Sequence, residues 1–330
     1  MSEQAKSVPQ LVFEPGGYAK FSGEQVPLSQ RLLSLVGVFA RDAFRTTPAK
    51  LGAALYLVAP LCLGAWLVIR SYLPDLPVSL GGAGDAYSLW KLTKIPTAGQ
   101  AGCDIQALEV SFAVNAFLLL LGQATQVAPL LARDAHQGAL LLYFSRPVLR
   151  SHYLLARLAA AAGIGTALMT LPSLLLVLVE LSQHGLQPGG CPWPGLAGVL
   201  WWLALCAVVA LCAVAVAVAT SLVALAAGVL VRNPSAAPLA LGGLVLGSLA
   251  LSWILQSSYG RESLARGLDL HHALQAPWFL LTWLLSPNPP PKPVLEVALL
   301  GLLLWTALAT LGWFLLQRFL RNPPLGKGRA

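Results

Sequence analysis

Long apolar runs alternate with shorter polar segments that contain Gly and Pro along most of the chain. A helix needs about 20 apolar residues to cross some 30 Å of hydrocarbon, and a helix satisfies its backbone hydrogen bonds internally in lipid. The runs therefore predict an all-α membrane protein with six transmembrane helices. The predicted spans lie at about 49–69, 108–131, 153–181, 196–231, 236–256 and 294–316.

Two shorter patterns flank these spans. Between residues 28 and 47, apolar residues recur at helical spacing with polar residues on the opposite side, which predicts an amphipathic helix lying in the membrane interface. The apolar run at 277–285 is too short to cross a bilayer, so we expect a re-entrant or interfacial helix before the last span. Residues 1–27 show no sustained periodicity and are interpreted as an irregular cytosolic arm.

Composition and charge placement fix a predicted orientation. The chain is 57% hydrophobic and only 10% charged, far below the charge content of soluble domains. With both termini in the cytosol, 15 of the 21 Lys and Arg residues fall on the inner side, as the positive-inside rule requires. The outer loops are then 70–107, 182–195 and 257–293. The segment 132–152 is cytosolic.

This cytosolic segment concentrates charge, a Gly and a Pro between two spans. Pro147 lacks a backbone N–H and restricts Arg146 to extended geometry, so it predicts a break between two short helices. The segment and its flanks contain, in order, Arg133, Asp134, Gly138, the apolar run 139–144, Ser145, Arg146, Pro147, Arg150 and Tyr153. In these residues it resembles the loop after the second span in bacterial ABC-2 type permeases, the membrane subunits of ATP-driven exporters.

The resemblance implies a function and a set of partners. It implies a permease subunit in the bacterial inner membrane that pairs with a second permease copy or a homologous permease, and with a cytosolic ATPase that binds ATP and Mg²⁺. The coupling residues for that ATPase would be Arg133, Asp134, His136, Gly138, Arg146, Pro147 and Arg150. The alternative, that these are ordinary positive-inside charges at loop ends, stays open.

The motifs of self-powered transporters and common enzymes are missing from the sequence. No Gly-x-x-x-x-Gly-Lys-Ser/Thr occurs, so ATP would have to be bound by another subunit. No His-Glu-x-x-His, Cys-x-x-Cys or Gly-x-Ser-x-Gly occurs either, so we predict no catalytic residues, no metal and no nucleic-acid partner. Two other classes remain: a membrane-embedded enzyme or assembly factor acting through the outer loops, and an ion-coupled carrier.

Polar residues within the spans are few and suggest a translocation path. The candidates are Asn115, Gln123, Gln126, Thr166, Thr170 and Ser173. Hydrogen bonds between packed helices would explain the same residues equally well. No acidic residue lies at a predicted midplane, which disfavours the ion-coupled carrier. Cys103 and Cys191 are both predicted outside, where an oxidising compartment permits a disulfide between them.

Overall fold

The computed structural model describes residues 27–43, 105–136, 150–184, 196–231, 233–259, 262–284 and 292–321, with isolated residues between 50 and 65. Within these ranges every regular element is a helix. The α-helices are α1 (Leu28–Ala43), α2 (Ile105–Gly122), α3 (Ala128–His136), α4 (Arg150–His184), α5 (Leu196–Val231), α6 (Ala237–Tyr259), α7 (Glu262–Leu268), α8 (Leu270–Ala273), α9 (Ala276–Leu284) and α10 (Lys292–Arg321). A π-turn, Gln123–Val127, joins α2 to α3.

Five helical stretches in the described part of the chain are long and apolar enough to cross a membrane. They are Ser111–Asp134, Ser151–Val179, Gly198–Val231, Ala237–Ser258 and Leu295–Arg321. The chain is therefore a multi-pass helical membrane protein, and five of the predicted spans are confirmed as candidate spans. The other predicted span, at 49–69, and the N-terminal arm lie outside the described residues, apart from a few isolated positions.

Helix α5 is the central element of the described bundle. It packs against α3, α4, α6, α9 and α10, and its buried side chains are mostly small, which allows close contact between helices. Asn233 lies in the connection between α5 and α6. Its Oδ1 accepts a hydrogen bond from the Ser235 amide at 3.0 Å. This hydrogen bond forms an Asx turn.

Helix α4 stays helical through Pro172. Proline removes one backbone hydrogen bond within a helix, and nearby Ser or Thr side chains commonly compensate in membrane helices. Here the Ser173 hydroxyl donates to the carbonyl of Met169 at 2.9 Å, one residue after the Leu168 carbonyl whose helical amide donor Pro172 removes.

Helix α1 is amphipathic as predicted, and it packs along α4. Phe39 and Ala43 are buried, whereas Leu33 and Val38 are more than half exposed. The buried side faces the bundle. Apolar side chains on the free side suit a lipid interface, and that location remains a prediction.

Three short helices, α7 to α9, precede the last long helix and pack on α10. Trp278 of α9 is buried and stacks on Phe112 of α2, with ring centroids 5.2 Å apart. The Trp305 indole Nε1 of α10 donates to the carbonyl of Leu270 at 3.3 Å. Helix α9 has nine residues, which is too few to cross a bilayer. A short helix is therefore present where the sequence predicted one.

Candidate functional site

Four side chains from three helices meet where α3 ends and α4 begins, on either side of residues 137–149. We call Phe39, Asp134, Tyr153 and Arg157 the Asp134 cluster. The Asp134 Oδ2 atom accepts hydrogen bonds from the Tyr153 hydroxyl and from Arg157 Nη2. Asp134 lies near the end of α3, and Tyr153 and Arg157 lie one turn apart near the start of α4. The cluster thus joins the two helices that flank the segment.

Aromatic rings also contact the Arg157 guanidinium. Its central carbon lies 3.8 Å from the ring centroid of Phe39, close enough for a cation–π interaction. The Phe39 and Tyr153 rings meet edge to face, with centroids 5.6 Å apart. Helix α1 is therefore attached to the same point as α3 and α4.

The cluster is buried. The Arg157 side chain is 3% exposed and that of Asp134 is 11% exposed, while Tyr153 and Phe39 are buried as well. Two charges removed from water stay charged only when they are paired and hydrogen-bonded. Each ion of this pair therefore depends on the other.

The neighbouring residue Arg133 has a different environment. Its Nη2 atom lies 3.7 Å from Asp42 Oδ2 of α1, and the two side chains are 40% and 35% exposed. Exposed ion pairs contribute little to stability because water and salt screen them. Arg133 therefore presents a charge at the surface, whereas Asp134 is held inside the fold.

The remaining predicted coupling residues lie at or beyond the helix ends. His136 is the last residue of α3, and Arg150 is the first of α4. Gly138, Arg146 and Pro147 lie outside the described residues. Cys103 and Cys191 do too, so the disulfide and the contact between these coupling residues and an ATPase stay predictions.

The predicted path residues are distributed over α2, the π-turn and α4. Gln123 and Gln126 line one cavity of about 10 Å³ beside Ala43 and Gly165, a space that holds about one water molecule. Asn115 is buried and donates to Ser111 of its own helix at 3.3 Å. Ser173 is also buried, and Thr166 and Thr170 are half-buried. The structure thus brings the two glutamines together, and a path through these residues stays a prediction.

A polar contact and a close approach hold the π-turn against α4. Gln123 Nε2 donates to the carbonyl of Ala161 at 3.5 Å, which is a long hydrogen bond. Beside it, Gly165 lets α4 approach its neighbours closely, because a Cβ there would lie 3.0 Å from Leu119 Cδ1 and 3.1 Å from Ala217 Cβ. Helices α2, α4 and α5 therefore meet at Gly165. π-Turns inside helices frequently mark functional positions.

We expect Gly165→Ala to be less stable than Gly163→Ala by about 1–3 kcal/mol. An added methyl at Gly165 must displace packed side chains, whereas one at Gly163 meets nothing within 4 Å and gains helix propensity. Both substitutions add one methyl group to a glycine of α4. Unfolding of the two variants in one detergent gives the difference, and equal stabilities would contradict the close junction.

Sequence reasoning missed two features of the described residues. The first is the role of Arg157, which was counted only among the positive charges of the inner side. Arg157 lies inside a predicted span and four residues after Tyr153, and a charge in such a position signals a buried partner. The second feature is the pair formed by Asp269 and His272, with Oδ2 and Nδ1 2.5 Å apart. The spacing of three residues between them was the available signal.

Comparison with known proteins adds no relative. No protein-family model matches the chain, and no curated protein matches it. The class that the fold defines is a multi-pass helical membrane protein. Anything finer rests on the residues themselves.

Proposed function

We propose that this protein is the permease subunit of an ATP-driven transporter, an exporter of the ABC-2 type, in a bacterial inner membrane. A separate cytosolic ATPase would dock on the 137–149 segment and its flanking residues. The single observation that supports this most strongly is the Asp134 cluster. It joins to each other the two candidate spans that lie on either side of that segment. The sequence resemblance of residues 133–153 supplies the identity of the partner.

The proposal gives the segment a mechanical role. ATP binding would draw two ATPase subunits together and move the docked segments. Because α3 and α4 continue into long apolar helices, a displacement at their cytosolic ends would tilt those helices. Alternation between inward-open and outward-open states would follow from that tilt in a pair of permeases.

The predicted docking surface combines charge with an apolar run. Arg133 is exposed at the surface, and Arg146 and Arg150 add positive charge on either side of Pro147. Oriented charge pairs steer association and fix the register of an interface. The apolar run 139–144 offers the buried core that a protein interface needs.

We expect a double charge reversal, Arg146→Glu with Arg150→Glu, to weaken ATPase binding by at least about 30-fold, since breaking close charge pairs at an interface costs about 2 kcal/mol or more. The measurement is co-purification of the full chain with a candidate ATPase in detergent, together with ATP turnover. The matched control is Lys327→Glu with Arg329→Glu, which makes the same charge change in the C-terminal tail.

Three outcomes separate the possibilities. Release by the segment variant alone supports an ABC permease and locates its docking surface. Equal retention by both variants would leave the charges as ordinary positive-inside residues. If the wild-type chain bound no ATPase, the proposed function would fail and the outer loops would be the next place to seek activity.

A further inference from the structure

Asp134 and Arg133 are adjacent in sequence but take opposite environments. A helix turns about 100° per residue, so neighbours point in different directions. Arg133 faces the surface, and Asp134 is buried with Tyr153 and Arg157. A carboxylate that accepts two hydrogen bonds inside the fold is poorly placed to form a new ion pair with another protein.

The cluster joins the two helices that lie on either side of residues 137–149. Asp134 is two residues before the end of α3, and Tyr153 is three residues after the start of α4. Buried, charge-assisted hydrogen bonds are among the strongest in proteins. The end of α3 and the start of α4 are therefore fixed to each other.

Helix α1 is held at the same place by a buried aromatic side chain and by an exposed ion pair. Phe39 stacks against the buried Arg157 guanidinium, and Asp42 pairs with the exposed Arg133. Only the first contact is shielded from solvent. Helix α1 also packs along α4, so displacement of α4 without α1 would break a buried interaction.

We infer that Asp134 and Arg157 are positioning residues, and that the Asp134 cluster makes α1, the end of α3 and the start of α4 one moving unit. This inference rests on the proposed function for its role in coupling. It assigns α1 to the part of the protein that moves with the ATPase. It also removes Asp134 from the residues that touch the ATPase.

Hydrogen–deuterium exchange on the full chain in lipid nanodiscs tests the unit without any partner. Asp134→Asn is expected to speed exchange of backbone amides in both α1 and the first turns of α4 by at least about 30-fold, because a buried charge loses its partner. The control Asp42→Asn breaks only the exposed pair and is expected to change exchange less than about fivefold. Faster exchange in one helix alone, or in neither, would overturn the inference.

Phe39→Leu provides a second variant if Asp134→Asn fails to accumulate. It removes the aromatic face that contacts Arg157 and keeps an apolar side chain, and it leaves the Asp134–Arg157 pair intact. Exchange is expected to rise about tenfold in α1 and in the start of α4 together. Unchanged exchange in α4 would show that α1 is not part of the unit.

The coupling role is tested on the same variants with the ATPase added. Asp134→Asn is expected to keep ATPase binding within about threefold of wild type, since no contact at the interface is lost, and to lose at least about tenfold in the ATP turnover that the permease stimulates. If Asp134→Asn released the ATPase as the Arg146 and Arg150 reversals do, Asp134 would be a docking residue and the inference would be wrong. If the wild type bound no ATPase, the proposed function would fail, and the exchange result would still decide whether the cluster joins α1 to α4.

Discussion

Replacing Arg157 by Leu is expected to lower the free energy of unfolding by about 3–5 kcal/mol. The substitution leaves the Asp134 carboxylate buried beside Tyr153 without its cation, and an uncompensated charge in a dry interior is strongly unfavourable. The contact of Arg157 with the Phe39 ring is lost as well. Unfolding of the purified protein in mixed detergent micelles, followed by circular dichroism, measures the difference.

The matched control is Arg133→Leu. It removes the same side chain from the neighbouring ion pair, which is exposed and 3.7 Å long, so the expected change is at most about 1 kcal/mol. A double variant, Asp134→Leu with Arg157→Leu, is expected to be more stable than Arg157→Leu alone, because neither charge is then left unpaired. Equal losses at Arg133 and Arg157, or additive losses in the double variant, would contradict a buried ion pair.

The five candidate spans in the described residues could be predicted closely from sequence because length and hydropathy alone define them. The span predicted at 196–231 coincides with α5, and the one predicted at 236–256 nearly coincides with α6. Bilayer thickness sets a minimum length for each apolar run, and few alternatives satisfy the backbone in lipid. No knowledge of tertiary packing is needed for this step.

The candidate site could be predicted only in part, because burial of a charged residue depends on packing. The resemblance of the 133–153 stretch placed Arg133 and Asp134 together in one docking set. The structure separates them, since one faces the surface and the other a buried Arg from the next helix. The partner of Asp134 lies 23 residues along the chain, and no local pattern reports which two helices pack together.

The π-turn was also beyond reach of sequence patterns. Residues Gln123–Val127 fit an ordinary helical span by composition. The amide of Ala128 bonds to the carbonyl of Gln123, which inserts one extra residue into the turn. Packing of this turn against α4 and α5 stabilises a geometry that local propensity alone disfavours.

Substitution of Gly228 by Ala is expected to destabilise the protein by about 3 kcal/mol or more. A Cβ at this position of α5 would lie 2.0 Å from the backbone carbonyl oxygen of Ala128. Ala128 is the residue that closes the π-turn, so its carbonyl cannot shift without moving the start of α3. Unlike a crowded side chain, a backbone atom has no alternative rotamer, and α3 and α5 must separate to accept the methyl group.

Gly243→Ala in α6 is the control for this effect, because a Cβ there meets nothing within 4 Å and a helix gains up to about 1 kcal/mol from Ala. The Gly228 variant is therefore expected to lose stability, and the Gly243 variant is expected to gain it. Unfolding in the same micelles compares their stabilities, and equal stabilities would show that α5 does not approach α3 at Gly228. Loss of stability at Gly228 alone would show that the backbones of α5 and α3 are in direct contact where the π-turn ends. The start of α3 would then be held against α5 by backbone packing, and the end of α3 against α4 by the Asp134 cluster.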